Sequence, residues 1–554
     1  MNDNPSRDAD NDPADVPRGQ PAGLWVLFIT EMWERFSYYG MRALLALYLA
    51  HTTVRAASDA GVIESGADPG QGFGWTEANA SILYGVYTFM VYLTSIFGGL
   101  AADRFLGTHR SMLAGGTIIA LGHICLAFTA LFTIPDGAVV SPETAPGALG
   151  VFLAGLALII IGTGFFKPCV SVMVGQLYQE NDPRRDSGFT IFYMGINVGA
   201  FLSPLVAGTL GERVGWHWGF GAAAVGMILG LVFYMIYRPK YLKGIGDPPD
   251  ISWSAADLGK FLLVSCSICA IPIVPLVLFM TGTIMPIVNV WNSATGALGV
   301  YGTAIVIVGG LLVAAGVFLA RQMPAERSRI AVILILAVLG NIFFWTAFEQ
   351  AGTSLNFFAK NSTDRTIFGY EFPATWYQSV NAFTIVIFAP FFSFLWVWLA
   401  RRKKDPSTPM KFAIGLWLLG LSFIAMIFGS LQARDGGLAA PYWLLITYIV
   451  YTWGELCLSP VGLSMVTKLA PKRLQSLLMG LWFLSFALSN LLAGLVAAFS
   501  TKFVPAEGET TAELSFIIPG LPGFYLMLVV FPIAAGLVIA ILTPVLRKMM
   551  KGIH

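Results

Sequence analysis

The stretch LWVLFITEMWERFSYYGMRALLALYLA, residues 24–50, is long and apolar enough to cross a bilayer as a helix, yet it carries two carboxylates and two guanidinium groups. At roughly 100° per residue, Glu31, Glu34, Arg35, Tyr38 and Arg42 fall on one face. An ionisable side chain in the middle of a span costs about 2.5–3.5 kcal/mol. Their shared face therefore predicts a polar stripe directed into a protein interior, whereas a static ion pair between helices is the alternative.

The composition indicates a membrane protein. The 554 residues have a mean hydropathy of +0.72 and only 12% charged residues, whereas soluble domains carry about 25%. The net charge of +2 is too small to suggest a nucleic-acid partner. No catalytic motif of fixed spacing occurs, so an enzyme is not expected. All five cysteines lie in apolar segments, where packing is the expected role, and no metal site is predicted.

The hydropathy pattern predicts fourteen membrane-spanning helices. Their expected centres lie near residues 40, 92, 122, 160, 197, 228, 271, 307, 338, 386, 420, 453, 487 and 533. Isolated strands would leave backbone groups without hydrogen bonds in lipid. The expected fold class is therefore an all-α integral membrane protein.

Basic residues in the connecting loops predict the orientation. One set of loops and both termini carry 24 Lys and Arg residues, and the other set carries six. Positive residues are retained on the cytoplasmic side, so both termini are expected in the cytoplasm of a cell with the chain in its inner membrane. Residues 1–23 are polar and lack the pattern of a signal peptide, which predicts a disordered cytoplasmic tail.

The predicted spans form groups of six, two and six. This grouping divides the chain into a first bundle at 24–238, a linker with two extra helices at 239–327 and a second bundle at 328–554. The layout resembles the major facilitator superfamily, whose transport site lies between two halves near the bilayer midplane. In the loop GGLAADRFLGTHR (98–110), Asp103 and Arg104 resemble a gating motif of that superfamily. An ordinary basic turn is the alternative.

Other charges within spans suggest a zwitterionic substrate. Lys167 lies in the first half, before Pro168, and Glu455 lies in the second half. If the halves face each other, a cation and a carboxylate face one cavity, which suits a ligand with an amino group and a carboxylate at opposite ends. Glu349 stands near the end of another predicted span, and a solvated charge is equally compatible with its position.

Several motifs then resemble the proton-dependent oligopeptide transporter (POT) family of the major facilitator superfamily. EMWERFSYYG (31–40) fits the family signature ExxERFxYYG at every fixed position, and FTIFYMGINVGAF (189–201) resembles the second signature. GTGFFKPCVSV, FFWTAFEQ and WGELCLSPVGLS match further blocks. The two middle helices resemble the insertion of bacterial members. One departure is Cys169, where the family pattern has Asn.

The resemblance implies roles for individual residues. Glu31, Glu34, Arg35 and Glu349 would couple proton movement to transport. Arg42 and Lys167 would meet the peptide carboxylate, and Glu455 its amino terminus. The remaining substrate-binding residues implied are Tyr38, Tyr39, Tyr92, Tyr193, Asn197, Trp345, Asn381, Ser459 and Trp482.

The sequence therefore predicts a proton-coupled symporter that imports di- and tripeptides by alternating access. The expected partners are small peptides, protons and the lipid bilayer, with no cofactor because the proton gradient drives uptake, and the chain could act as a monomer. A transporter of another small anion, such as nitrate or a drug-like carboxylate, is the alternative on the same fold. A receptor or channel is a weaker alternative, since no soluble signalling domain is predicted.

Overall fold

The charged stretch at residues 24–50 lies within one uninterrupted helix, α1 (Ala22–Ala50), in the computed structural model. The structure describes residues 19–51, 70–135, 138–179, 182–248, 255–280, 309–310, 313–314, 316–504 and 512–550. The 29 residues of α1 rise about 1.5 Å each, which is more than enough to cross a hydrocarbon core of about 30 Å. Glu31, Glu34, Arg35 and Arg42 are all buried in the protein, as their shared face predicts.

Five further spans join α1 in a first bundle. Their helices are α2 (Glu77–Ala101), α3 (Gly107–Phe128), α4 (Pro146–Gln176), α5 (Arg185–Ser203), α6 (Thr209–Arg213) and α7 (Trp216–Tyr241). A π-helical turn at Ala102–Leu106 connects α2 to α3, and another at Pro204–Gly208 makes α5 and α6 one span. Pro204 has no amide hydrogen to donate to the preceding turn, which accounts for the change in helical pitch.

A second bundle follows one helix, α8 (Ala255–Met280), that packs against α2 and α4. Its helices are α9 (Pro324–Ile335), α10 (Phe343–Phe348), α11 (Ser354–Asn361), α12 (Tyr377–Arg401), α13 (Thr408–Gln432), α14 (Tyr442–Leu469), α15 (Gln475–Ser500) and α16 (Leu521–Met549). The π-helical segment Leu336–Ile342 and the 3₁₀ turn Glu349–Gly352 join α9, α10 and α11 into one span.

The remaining regular elements are short. Strands β1 (Thr366–Ile367) and β2 (Tyr370–Glu371) pair antiparallel, as do β3 (Ser515–Phe516) and β4 (Ile518–Pro519). Five 3₁₀ turns occur at Thr129–Leu131, Ala374–Trp376, Arg434–Gly436, Lys472–Leu474 and Thr501–Phe503. Both hairpins lie in loops between spans of the second bundle.

Thirteen of the fourteen predicted centres fall within long helices. Twelve spans in the described residues are long and apolar enough to cross a membrane, and α1 has the length but carries more charge. The centre near residue 307 lies outside the described residues. The all-α membrane fold is thereby confirmed.

The two bundles meet along α2 with α15 and along α5 with α12. A single cluster of buried apolar residues extends through both bundles and includes Tyr84 and Tyr448. We call the side on which α1 begins and α16 ends the terminal side, and the opposite side the far side.

The contact between α2 and α15 depends on two glycines. A methyl group added at Gly85 would lie 2.8 Å from Cα of Gly494 and 3.0 Å from the carbonyl oxygen of Asn490. Backbone atoms cannot move aside as a side chain can. Overpacking of such a contact costs about 1–3 kcal/mol.

Gly85→Val is therefore expected to lower the midpoint of thermal unfolding by several degrees and to weaken far-side packing. Gly150→Val is the matched control, because nothing lies within 4 Å of a methyl group added at Gly150. Differential scanning fluorimetry of the purified variants measures the effect. Equal midpoints for the two variants would contradict the importance of this contact.

Candidate functional site

The charged face of α1 forms a compact ion-pair cluster. Arg35 Nε donates a hydrogen bond of 2.8 Å to Glu31 Oε1 and lies 2.5 Å from Glu34 Oε2. The N–H of Arg35 is directed at Glu31, so Glu34 Oε2 has an ion-pair partner but no hydrogen bond among the described residues. Both carboxylates thus share one guanidinium.

Arg42 connects the two bundles. Its guanidinium forms an ion pair with Glu349 and a hydrogen bond with the Tyr84 hydroxyl. The guanidinium carbon also lies 5.8 Å from the ring centroid of Tyr38 and 6.0 Å from that of Tyr39. Glu349 is only 4% exposed, so the interpretation of this residue as a solvated charge is wrong.

Lys167 lies against an aromatic ring. Its Nζ is 3.7 Å from the centroid of Tyr92, and it is close enough to Glu34 and Glu31 for their charges to act on it. Tyr92 stacks on Phe486 of α15, with centroids 6.1 Å apart. Tyr92 thus connects the lysine of the first bundle to an aromatic wall of the second.

Glu455 is the buried carboxylate of the second bundle. Its Oε2 accepts a hydrogen bond of 2.9 Å from Asn381 Nδ2, which also lies 3.0 Å from Thr452 Oγ1. Glu455 is 8% exposed, and no basic residue in the described part of the chain forms an ion pair with it. Ser459 follows one turn later on α14 and is half-buried. A buried carboxylate without a cation is well placed to receive one from a ligand.

Tyrosines of the first bundle lie between these charges. Tyr39 is within electrostatic range of Arg35, Arg42, Tyr92 and Glu455. Tyr193 is exposed and close to Glu455, whereas Asn197 is buried and donates to the Tyr193 carbonyl oxygen at 2.9 Å. The structure thus brings the predicted tyrosines and charges of both bundles to one place.

The two predicted tryptophans line the site less directly. Trp345 Nε1 donates to Asn341 Oδ1 at 2.9 Å, and its ring lies 5.1 Å from Phe486. Trp482 is 1% exposed and packs edge-on against Phe412, and its Nε1 has no hydrogen-bond partner among the described residues. In this conformation Trp482 is a core residue whose polar edge is unused.

The backbone of Asp103 and Arg104 lies in the π-helical turn Ala102–Leu106, between α2 and α3. The turn is on the terminal side, where the sequence predicts a gate. The gating role of these residues remains a prediction.

Polar contacts between the bundles lie on the far side. In the described parts of the chain, these contacts join Arg42 with Glu349, Ala43 with Asn356, Glu77 with Asn361, Arg213 with Glu371, Glu212 with Ala374 and Thr375, Thr209 with Trp376, and Phe201 with Ser379. No such contact between described residues joins the bundles on the terminal side. The far side is therefore closed by polar contacts.

Glu212 is a member of this closure that sequence reasoning missed. Its carboxylate accepts hydrogen bonds from the amides of Ala374 (3.0 Å) and Thr375 (2.9 Å) and from the Thr375 hydroxyl (2.7 Å). In the sequence, Glu212 precedes a loop and looks like a solvated charge. Tyr84 and Phe486 were also missed, because an aromatic residue in an apolar span carries no sign of its partners.

This geometry has counterparts in known proteins. A family model described as "POT family" matches residues 109–512. The chain is 37% identical over 538 residues to the uncharacterized transporter YclF of Bacillus subtilis (strain 168), covering 97% of this chain and 96% of that protein. It is 36% identical over 540 residues to the peptide transporter YePEPT of Yersinia enterocolitica, covering 96% of each chain.

Solved structures agree with these relatives. A mutant of the peptide transporter POT in complex with alafosfalin superimposes with a TM-score of 0.76 at 36% identity, covering 97% of each chain. A POT family transporter in complex with 5-aminolevulinic acid superimposes with a TM-score of 0.76 at 32% identity, covering 96% of this chain and 97% of the other. The charged face of α1, the buried charges between the two bundles and these matches together place the chain in the POT family of membrane transporters.

Proposed function

We propose that this protein is a proton-coupled symporter that imports di- and tripeptides by alternating access. The observation that carries the proposal is the arrangement of half-buried Lys167 and buried Glu455, two charges of opposite sign on different bundles, around a set of tyrosines. A short peptide presents one carboxylate and one ammonium group whatever its side chains are. Fixed charges can therefore recognise the ends while aromatic walls accept varied side chains.

The relatives support this substrate class. YePEPT is named a peptide transporter, and two proteins of Lactococcus lactis, each 35% identical to this chain, are named di-/tripeptide transporters. Proton coupling is general to the family. No cofactor is needed in this scheme, because the proton gradient supplies the free energy.

The charged groups divide into two sets in this proposal. Glu31, Glu34 and Arg35 form the proton site, and Arg42, Lys167 and Glu455 bind the peptide ends. The other residues that we assign to the substrate site are Tyr38, Tyr39, Tyr92, Tyr193, Asn197, Trp345, Asn381 and Ser459. Trp482 supports this site from behind, where its ring packs against Phe486. Glu349 would couple proton movement to peptide binding, because it forms an ion pair with the peptide-binding residue Arg42 when the far side is closed.

The two bundles would move against each other during the cycle. We assign them to residues 24–238 and 328–554, with 1–23 as a cytoplasmic tail and 239–327 as a linker, and Asp103 and Arg104 as part of the cytoplasmic gate. The terminal side is the cytoplasmic side in this scheme, because the basic loops lie there. Polar closure on the far side then corresponds to a state that faces the cytoplasm. The protein would act in the inner membrane, and one chain contains a complete site.

Transport into proteoliposomes tests the proposal. Uptake of a labelled dipeptide should require an inward proton gradient and should collapse on addition of a protonophore. Unlabelled dipeptides should compete, whereas nitrate and simple carboxylates should not. Protonophore-resistant uptake would refute the coupling, and competition by nitrate but not by dipeptides would favour the alternative substrate class.

Removal of the ion pair between Arg42 and Glu349 should loosen the far side. Glu349→Gln replaces the carboxylate by a neutral group of the same shape, and truncating one partner of a buried charge pair costs about 2–5 kcal/mol. Spin labels at Glu143 and Leu438, exposed far-side positions of the two bundles, should report a larger share of long distances in the variant. Unchanged distance distributions would show that the other far-side contacts suffice for closure.

A further inference from the structure

A basic pocket in the second bundle has no part in the transport scheme. It lies on the terminal side, between the segment that follows α12 and the ends of α13, α14 and α16, and has a volume of about 680 Å³. Four cationic side chains line it, namely Lys403, Lys411, Lys468 and Arg547, whereas Asp405 is the one acidic residue among its lining. Four cations against one carboxylate give the pocket a net charge suited to an anion.

One of the four cations is held in a fixed position. Lys411 Nζ lies 2.9 Å from Asp405 Oδ1 and 3.0 Å from Asp405 Oδ2, and 4.8 Å from the ring centroid of Trp396. Asp405 thus orients Lys411 within the pocket.

The backbone at Lys403 indicates that its side chain is needed. Lys403 has φ +57°, and the amide of Lys404 donates to the Leu399 carbonyl oxygen at 2.9 Å. These features form the C-terminal motif of a helix in which the left-handed position is usually glycine. The chain accepts a strained lysine at a position that favours glycine, and that lysine lines the pocket.

The pocket also offers neutral donors and an apolar floor. Ser407 and Thr408, at the start of α13, line it, and no side chain caps the first turn of this helix. The free amides of a helix N-terminus bind anions. Val461, Met465, Leu469 and Met550 supply the apolar part of the lining, and Val545 on α16 is 53% exposed nearby.

The position selects the kind of anion. The pocket lies where α12, α14 and α16 end and α13 begins, and the ends of spanning helices mark the boundary between hydrocarbon and water. Basic pockets between helices at this level bind anionic lipid headgroups. The apolar lining would not help to bind a soluble anion, whereas the acyl chains of a lipid can pack against it.

We propose that this pocket binds the phosphate headgroup of an anionic phospholipid, with Lys403 and Arg547 as the cations that contact the phosphate and Lys411 held beside them by Asp405. The proposal is independent of the substrate and the proton site. It predicts that anionic lipid stabilises the second bundle on the terminal side.

The test measures thermal unfolding of the purified full-length protein in detergent micelles with added phosphatidylglycerol, phosphatidylcholine or inorganic phosphate. Phosphatidylglycerol should raise the unfolding midpoint of the wild type, and phosphatidylcholine should not. The double variant Lys403→Gly/Arg547→Gln should need about 25-fold more phosphatidylglycerol for the same shift, at about fivefold for each cation removed.

A matched variant separates the pocket from surface charge in general. Lys240→Gln/Lys243→Gln removes two exposed lysines from the same side of the protein, neither of which lines the pocket, and should respond to phosphatidylglycerol as the wild type does. An equal loss in both variants, or an undiminished response of the pocket variant, would overturn the proposal. A shift with millimolar inorganic phosphate as large as that with phosphatidylglycerol would also overturn it, in favour of a soluble anion.

The folding of the pocket variant is checked independently. Glycine fits the left-handed conformation at residue 403, so Lys403→Gly should unfold at the wild-type temperature or above it in phosphatidylcholine alone. Its dipeptide uptake in phosphatidylcholine vesicles should equal that of the wild type, because Lys403 is remote from the transport site. A lower unfolding midpoint there would show that the lysine serves the helix end itself, which would contradict a lipid-binding role.

Discussion

Glu34→Gln is expected to abolish concentrative uptake of dipeptides while leaving exchange of peptide for peptide intact. Glu34 is 1% exposed, and its Oε2 has an ion-pair partner but no hydrogen bond among the described residues. A buried carboxylate is costly while it is charged, and Glu34 is the more deeply buried of the two glutamates that share Arg35. Glutamine imitates the protonated state permanently.

The size of the effect follows from the driving force. Moving one charge through 100 mV is worth about 2.3 kcal/mol, which supports about 50-fold accumulation of a neutral peptide carried with one proton. In the Glu34→Gln variant, the ratio of internal to external peptide concentration should stop at about one. Counterflow of labelled dipeptide against unlabelled dipeptide should proceed in the same vesicles, since it needs no net proton movement.

An exposed carboxylate outside the proton site provides the control for this experiment. Glu143 is exposed in a far-side loop, and Glu143→Gln should accumulate peptide as the wild type does. Should Glu34→Gln still concentrate dipeptide under a proton gradient, the proton site lies elsewhere, and Glu31 becomes the next residue to test.

The second large effect is expected at Glu455. Glu455→Gln removes the buried negative charge that we assign to the peptide ammonium group, and loss of one partner of a buried charge pair costs about 2–5 kcal/mol. The affinity for a dipeptide should fall at least about 30-fold. Titration of the purified protein with a dipeptide and with its N-acetylated form measures the change.

Comparison of the two peptides shows which end of the dipeptide Glu455 binds. Wild-type protein should prefer the free amino terminus, and Glu455→Gln should bind both forms alike. Lys167→Gln serves as the reciprocal control, because it should lose the preference for a free carboxylate over a C-terminal amide and keep the preference for a free amino terminus. If Glu455→Gln retains the wild-type preference for the free amino terminus, another group binds the ammonium.

The charged face of α1 could be predicted from the sequence with little ambiguity. Helical periodicity places Glu31, Glu34 and Arg35 on one face, and ionised groups are excluded from lipid, so their burial follows from local geometry and solvation energy alone. Thirteen of the predicted centres fall within helices for the same reason, since a membrane span is a local property of about twenty residues.

Contacts between distant segments could not be predicted in this way. The ion pair between Arg42 and Glu349 joins the two bundles, and no pattern in the sequence indicates that these two residues meet. The contacts of Glu212 could not be predicted, because the sequence does not show whether a carboxylate beside a loop faces water or the amides of Ala374 and Thr375.

The membrane class, the helices and the charged stripe of α1 follow from the amino-acid sequence. Their causes act within a single helix, through periodicity and the cost of placing charge in hydrocarbon. The tertiary structure alone decided that the far side is closed, that Glu349 is buried against Arg42 and that Lys403 joins three other cations around one pocket. Those features depend on which segments pack together, and packing is set by the shape of the whole chain rather than by any stretch of it.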